Sequence, residues 1–259
     1  MNPYDGMSDE EKLIKTEELV ENHKLSPYIE RICRNAWHSI LNGKFNKELN
    51  KTIRYMRISP QAIGALLHDI VSEYVSKYIE NGEIKGFRRG DGKEEKDIVC
   101  EYDDYFSFEI KTSSQRKVYG NRSFSKSEKG KEKSGYYLTI NFEKISKRDD
   151  MNSPEILLVR MGWINHDDWE GQEKESGQQA KLKEGVWETQ LIDVYRLKIN
   201  INTADAERLQ ALYGIGTSTA QNIINYRENV GRFEKVDDIL NVERVNSKTM
   251  NAFDYSIII

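Results

Sequence analysis

The sequence predicts an α/β region followed by a small all-α region. Three observations carry that reading. Residues 7–80 repeat apolar side chains at helical spacing. Short strand-like runs fill residues 98–164, and from Asn202 the helical period returns with glycine-containing breaks. A length of 259 residues allows one or two domains and a sizeable core.

The helical part opens with Leu13, Leu19 and Val20. Ile29, Ile32, Cys33, Ala36, Trp37, Ile40 and Leu41 continue it, and Asn42-Gly43 ends that segment. Ser59-Pro60 supplies a cap and a first-turn proline for the next helix, whose stripe runs from Ile63 through Leu67, Val71 and Val75 to Tyr78. His68 has no nucleophilic partner nearby in sequence and reads as structural. Ile98 to Tyr102 and Phe106 to Lys111 read as two strands around a tight Asp103-Asp104 turn. Tyr136 to Phe142 and Ile156 to Ile164 read as strands, residues 165–185 as loop, and Trp187 to Leu197 as a strand or docking segment. A boundary is expected near residue 199. Short helices are expected over Ala204 to Tyr213, Ser218 to Val230 and Val236 to Leu240.

Composition excludes some classes. Lys plus Arg is 39 and Asp plus Glu is 43, a net charge of -4, so the chain is no polycation coating nucleic acid by bulk charge. Local basic patches leave a nucleic-acid enzyme open. No apolar run has transmembrane length, and MNPYDGMSDEEKL lacks a secretory layout. Cys33 and Cys100 are too few for a disulfide scaffold, so a reducing, cytoplasmic setting is expected.

Chemistry concentrates at Asp97 and Glu109-Ile110-Lys111. Alternate residues of a strand share a face, so Glu109 and Lys111 point together. A hairpin through Asp103-Asp104 brings Asp97 beside Glu109. Two carboxylates, with the Ile110 carbonyl, are hard oxygen donors suited to Mg²⁺, and Lys111 is placed to steady a nucleophilic water or contact a phosphate.

The pattern Asp97 … Glu109-x-Lys111 resembles the PD-(D/E)xK nuclease signature, with Lys96 where a proline usually precedes the Asp. The run MNPYDGMSD, the following helix and FSFEIKTSSQ resemble the ScaI-type restriction endonucleases. That resemblance covers roughly residues 10–198. It implies a restriction-endonuclease-like core, a central mixed sheet flanked by helices, with Asp97, Glu109 and Lys111 catalytic. Glu73 falls where many members of the superfamily place a further acid. The implied activity is Mg²⁺-dependent hydrolysis of double-stranded DNA at a short sequence, with a homodimer matching a palindromic site.

From Ile201 the run INTADAERLQALYGIGTSTAQNIINYRENVGRFEKVDDILNV resembles the helix-hairpin-helix domain of the ComEA type. Gly214-Ile215-Gly216 is its hairpin, with Ile215 plugging the helix junction. Thr217 and Ser218 open the next helix, whose free amides suit phosphate. Where relatives carry a second glycine hairpin, this chain has Glu243-Arg244-Val245-Asn246-Ser247, which leaves phosphate contact there open. The expected organisation is a nuclease domain over residues 1–198 and a small all-α DNA-binding domain over 199–259. Arg116, Lys117, Arg122, Lys126, Lys129, Lys131 and Lys133, with Arg88 and Arg89, form the expected phosphate-neutralising footprint. Tyr136, Tyr137 and Phe142 read as core. A structure-selective or repair nuclease, or a non-catalytic DNA-binding protein, are the alternative readings.

Overall fold

The computed structural model describes residues 2–44, 50–92, 95–115, 117–121, 133–145, 153–171, 179–212, 214–251 and 256–259. Its helical opening comprises α1 (Asp9–Glu21), α2 (Ser26–Asn42) and α3 (Pro60–Glu80). Local chemistry sets the starts. Ser8 and Glu11 form a reciprocal cap on α1, and the Ser59 hydroxyl accepts from the Ala62 amide at the start of α3.

The strands follow as β1 (Phe87–Arg89), β2 (Ile98–Cys100), β3 (Phe108–Ser113), β4 (Gly120–Asn121), β5 (Gly135–Phe142), β6 (Ile156–Ile164), β7 (Trp169–Gly171) and β8 (Gln179–Leu182). The one-turn α4 (Val186–Thr189) leads into β9 (Ile192–Arg196). Six of these strands make a mixed sheet in the order β1-β2-β3-β5-β6-β9, with β3 and β5 parallel and the other neighbours antiparallel. The α/β class with a central mixed sheet is therefore as the sequence predicts.

Every residue of β5 is buried. Tyr136, Leu138, Ile140 and Phe142 join the core with the helices, whereas Tyr137 joins a second cluster with Trp169, Ala180 and Leu182. A strand covered on both faces reads as a continuous apolar run, which explains its strong signal. In β3, Phe108 and Ile110 belong to the helix-side core, so Glu109 and Lys111 share the other face.

Two expectations are corrected. The β2–β3 link is no two-residue turn, because a 3-10 turn occupies Asp104–Phe106 and Ile98 pairs with Phe108. Local contacts hold this shape: Tyr105 stacks on Trp163, and Ser107 Oγ accepts the Cys100 amide at 2.8 Å in place of a ladder bond. The supposed loop over residues 165–185 carries β7 and β8, which form a three-stranded sheet with β4. Inward-facing Trp169, Ala180 and Leu182 give those short strands their core.

The tail holds β10 (Ile199–Asn200), α5 (Ala206–Leu209), α6 (Thr217–Asn229), α7 (Ser247–Asn251) and β11 (Ile257–Ile258). Only one helical turn forms where Ala204 to Tyr213 was expected, and Val236–Asn241 is 3-10 rather than α. β10 pairs in parallel with β11 near the chain's end. Among the described residues, the buried members of its apolar cluster run from Ile199 to Ile257, with Leu197 packed against them. Buried Glu143, 3% exposed at its side chain, takes Arg208 of the tail at 3.1 Å, and Arg208 also donates to the Ser153 carbonyl. No helix among the described residues is long and apolar enough to cross a membrane.

Candidate active site

Antiparallel pairing of Ile98 with Phe108 sets Asp97 opposite Glu109. Asp97 Oδ2 accepts the Ile110 amide at 2.7 Å, tying the residue to β3. Lys111 Nζ lies 2.7 Å from Glu109 Oε2, 3.2 Å from the Ile110 carbonyl oxygen and 4.0 Å from Asp97 Oδ2. Three hard oxygens thus converge on one cation. Glu109 and Lys111 are 13% and 17% exposed at their side chains, open enough for a substrate to reach and dry enough to strengthen charge.

Lys96, found where the resemblance led to a proline, has a seat of its own. Its ammonium donates to the Ser107 carbonyl and stands over the Trp163 ring. Gly135 has φ +150°, where a side chain is strained, and a Cβ there would also lie 1.9 Å from that ammonium and displace it. Residue 96 is thereby anchored on the side away from the site, and Asp97 follows from a fixed point.

The helix α3 completes the cluster with a residue the sequence reading took as structural. His68 Nε2 donates to Asp97 Oδ1 at 3.1 Å, and Nδ1 faces Asp69 Oδ1 at 3.3 Å. The Asp97 bond is the main reason the His68 pKa is raised. Burial disfavours the Asp97 carboxylate, but the His68 bond and the Lys111 charge outweigh it and hold its pKa below the usual value. The missed signal is a periodicity argument, since His68 follows Gly64 and Leu67 on the face that meets the sheet.

Glu73 stands further out. It pairs with Arg89, which also reaches Asp69 at 3.0 Å. Arg88 is held by both oxygens of Glu95. Arg88 and Arg89 of the expected phosphate footprint are therefore already paired with carboxylates. Lys117 is exposed, while Arg116, Arg122, Lys126, Lys129 and Lys131 lie outside the described residues. Among the described residues no group of three or more His, Cys, Asp or Glu side chains forms a metal cage. The donor set of Asp97, Glu109 and the Ile110 carbonyl still suits a magnesium ion, which keeps much of its water and takes few protein oxygens.

In the tail, Gly214 has φ +79°, Ile215 is buried, and Gly216 caps α6, with Thr217 and Ser218 exposed after it. The second hairpin repeats this backbone without glycines. Arg244 has φ +72°, Val245 is buried, and Asn246 Oδ1 accepts the Thr249 amide at 2.9 Å. Val245 N donates to Val242 O as Ile215 N does to Leu212 O. Losing the glycines has thus not lost the turn, which the sequence reading did not anticipate.

A family model described as ScaI restriction endonuclease matches residues 2–195. A helix-hairpin-helix motif model matches residues 194–254. Type II restriction enzyme ScaI of Streptomyces caespitosus is 32% identical over 200 residues, 75% of this chain and 85% of that protein. ComE operon protein 1 of Bacillus subtilis is 44% identical over 59 residues, 23% of this chain and 29% of that protein. The human endonuclease/exonuclease/phosphatase family domain-containing protein 1 is 37% identical over 60 residues, 23% of this chain and 10% of that protein. No solved structure matches. With the family model covering most of the chain, from α1 through α3 and the six-stranded sheet to within one residue of the end of β9, the chain belongs to the ScaI restriction endonuclease family.

Proposed function

We propose that this protein is a type II restriction endonuclease that hydrolyses phosphodiester bonds of duplex DNA at a specific short sequence, with Mg²⁺ as cofactor. The observation that carries the reading is the convergence of Asp97, Glu109 and Lys111 where β2 meets β3, in a chain of this family. Asp97, Glu109 and the Ile110 carbonyl would hold the ion, which when bound neutralises charge on the phosphodiester and acidifies a bound water. Lys111 holds the attacking water or the scissile phosphate. Glu73 acts from further out, through the Arg89 it shares with Asp69.

Residues 1–198 form the nuclease domain and 199–259 a DNA-binding domain, a division supported by the separate apolar cluster from Ile199 to Ile257. The amides at Gly214, Gly216, Thr217 and Ser218 meet backbone phosphates around buried Ile215, whose own amide closes the turn on Leu212, and Arg116, Lys117 and Arg122 add charge on the nuclease side. A homodimer, one site per strand, reads a palindromic target in the cytoplasm.

Purified protein with Mg²⁺ on long duplex DNA, with the ends sequenced, tests this. Discrete fragments sharing one short sequence at every end are expected. Cleavage confined to flaps or junctions would replace the reading with a structure-selective nuclease. Salt-dependent binding without cleavage in Mg²⁺ or Mn²⁺ would replace it with a non-catalytic DNA-binding protein.

A further inference from the structure

Asp97 is held at both carboxylate oxygens, and the partner of Oδ1 lies outside the sheet. Oδ2 takes the Ile110 amide of β3, and Oδ1 takes His68 Nε2 of α3. The second attachment depends on how closely α3 approaches β3. Thr112 Oγ1 donates to the Gly64 carbonyl at 2.9 Å, and a Cβ on Gly64 would lie 2.9 Å from that same oxygen. Gly64 therefore lets the helix lie against the strand, and His68 projects one turn further along the same face. The imidazole is itself braced, since Nδ1 faces Asp69 Oδ1 and Asp69 is fixed by Arg89 at 3.0 Å.

A carboxylate fastened at one oxygen still swings about its last two torsions. Fastened at both, it keeps one orientation. We infer that His68 is a positioning residue, which fixes the Asp97 carboxylate for cation binding through its Nε2–H and is steadied by Asp69 through its other nitrogen. This rests on the proposed role of Asp97 as a metal ligand. Partners that orient a ligand in this way typically contribute about 10- to 100-fold to metal affinity. His68 touches neither substrate nor metal in this scheme.

The variants His68→Ala, His68→Gln and His68→Asn separate the contacts. A glutamine amide reaches about as far as Nε2, and an asparagine amide only as far as Nδ1. Mn²⁺ is titrated into the DNA-free protein and followed by electron paramagnetic resonance, with Asp97→Ala alongside. Affinity in His68→Ala should fall about 10- to 100-fold, His68→Gln should recover most of it, and His68→Asn should not. Melting temperatures are measured on each variant. Should the alanine variant unfold, the glutamine–asparagine difference at equal melting temperature decides the matter. Wild-type Mn²⁺ affinity in His68→Ala, with affinity lost in Asp97→Ala, overturns the positioning role and leaves the metal-ligand reading standing. Glutamine no better than alanine also overturns it. Wild-type affinity in Asp97→Ala overturns both.

Discussion

The two parts of this molecule proposed to meet a phosphodiester are built on opposite plans. In the core, the proposed chemistry lies on side chains: Asp97, Glu109 and Lys111 come together because β2 and β3 pair in one register. In the tail, the backbone carries it, with turns at Gly214 and Arg244 presenting amides next to buried Ile215 and Val245. On that reading the core depends on the functional groups themselves, whereas the tail keeps its second turn with Arg244 in place of glycine because the backbone angle survives.

The sharpest break of that contrast is Glu109→Ala. Cleavage should fall by at least about a hundredfold with duplex binding kept, as measured by fragment formation and gel shift in Ca²⁺. A retained rate would leave Glu109 and Lys111 as an ordinary ion pair, and the core would lose its distinction from the tail.

Next in size is the joint between the two parts. Arg208→Ala leaves buried Glu143 with the Glu155 amide but without its arginine, so stability should drop by up to about 3–5 kcal/mol in denaturant titration. A change under about 1 kcal/mol would mean that water reaches Glu143 once the arginine is gone.

A third test concerns the link that carries Phe106. Buried His23 donates from Nε2 to the Phe106 carbonyl and accepts the Leu25 amide at Nδ1, which requires the neutral ring. Burial, opposed by the Phe106 bond, lowers its pKa to about 4. The unfolded chain binds the extra proton first, so this contribution is complete above the ordinary value near 6.5. It is lost as pH falls toward about 4, where about 3 kcal/mol is gone. Urea melts between pH 7 and 4 should show the slope, and His23→Gln should flatten it.

The smallest effects lie in the tail. Gly216 has ordinary φ and open space around its Cβ position, so Gly216→Ala keeps the fold and only obstructs approach. Affinity for target and random duplex should fall together, by about threefold, the scale of a fraction of one phosphate contact. Arg244→Gly relieves a left-handed arginine but frees the unfolded chain, so stability should stay within about 1 kcal/mol. A drop in random-duplex affinity would then come from the lost charge, and unchanged affinity would place the second hairpin away from DNA.

Much of this was legible in the residues. Helical spacing from Ile29 to Tyr78 marks α2 and α3, an uninterrupted apolar run marks β5, and Asp97, Glu109 and Lys111 sit close enough along the chain for one hairpin to join them. Gly214-Ile215-Gly216 marks a turn because only glycine adopts its angles freely. Contacts between distant elements were not legible. His68 on Asp97, Lys96 seated on Gly135, Arg208 on Glu143 and the left-handed Arg244 all depend on which surfaces pack. Periodicity reports how one element divides its faces and is silent on which residue of another element lies opposite. That choice belongs to register, to the close approach of α3 at Gly64 and to the burial of whole aromatic and charged groups, and these exist only in the folded chain.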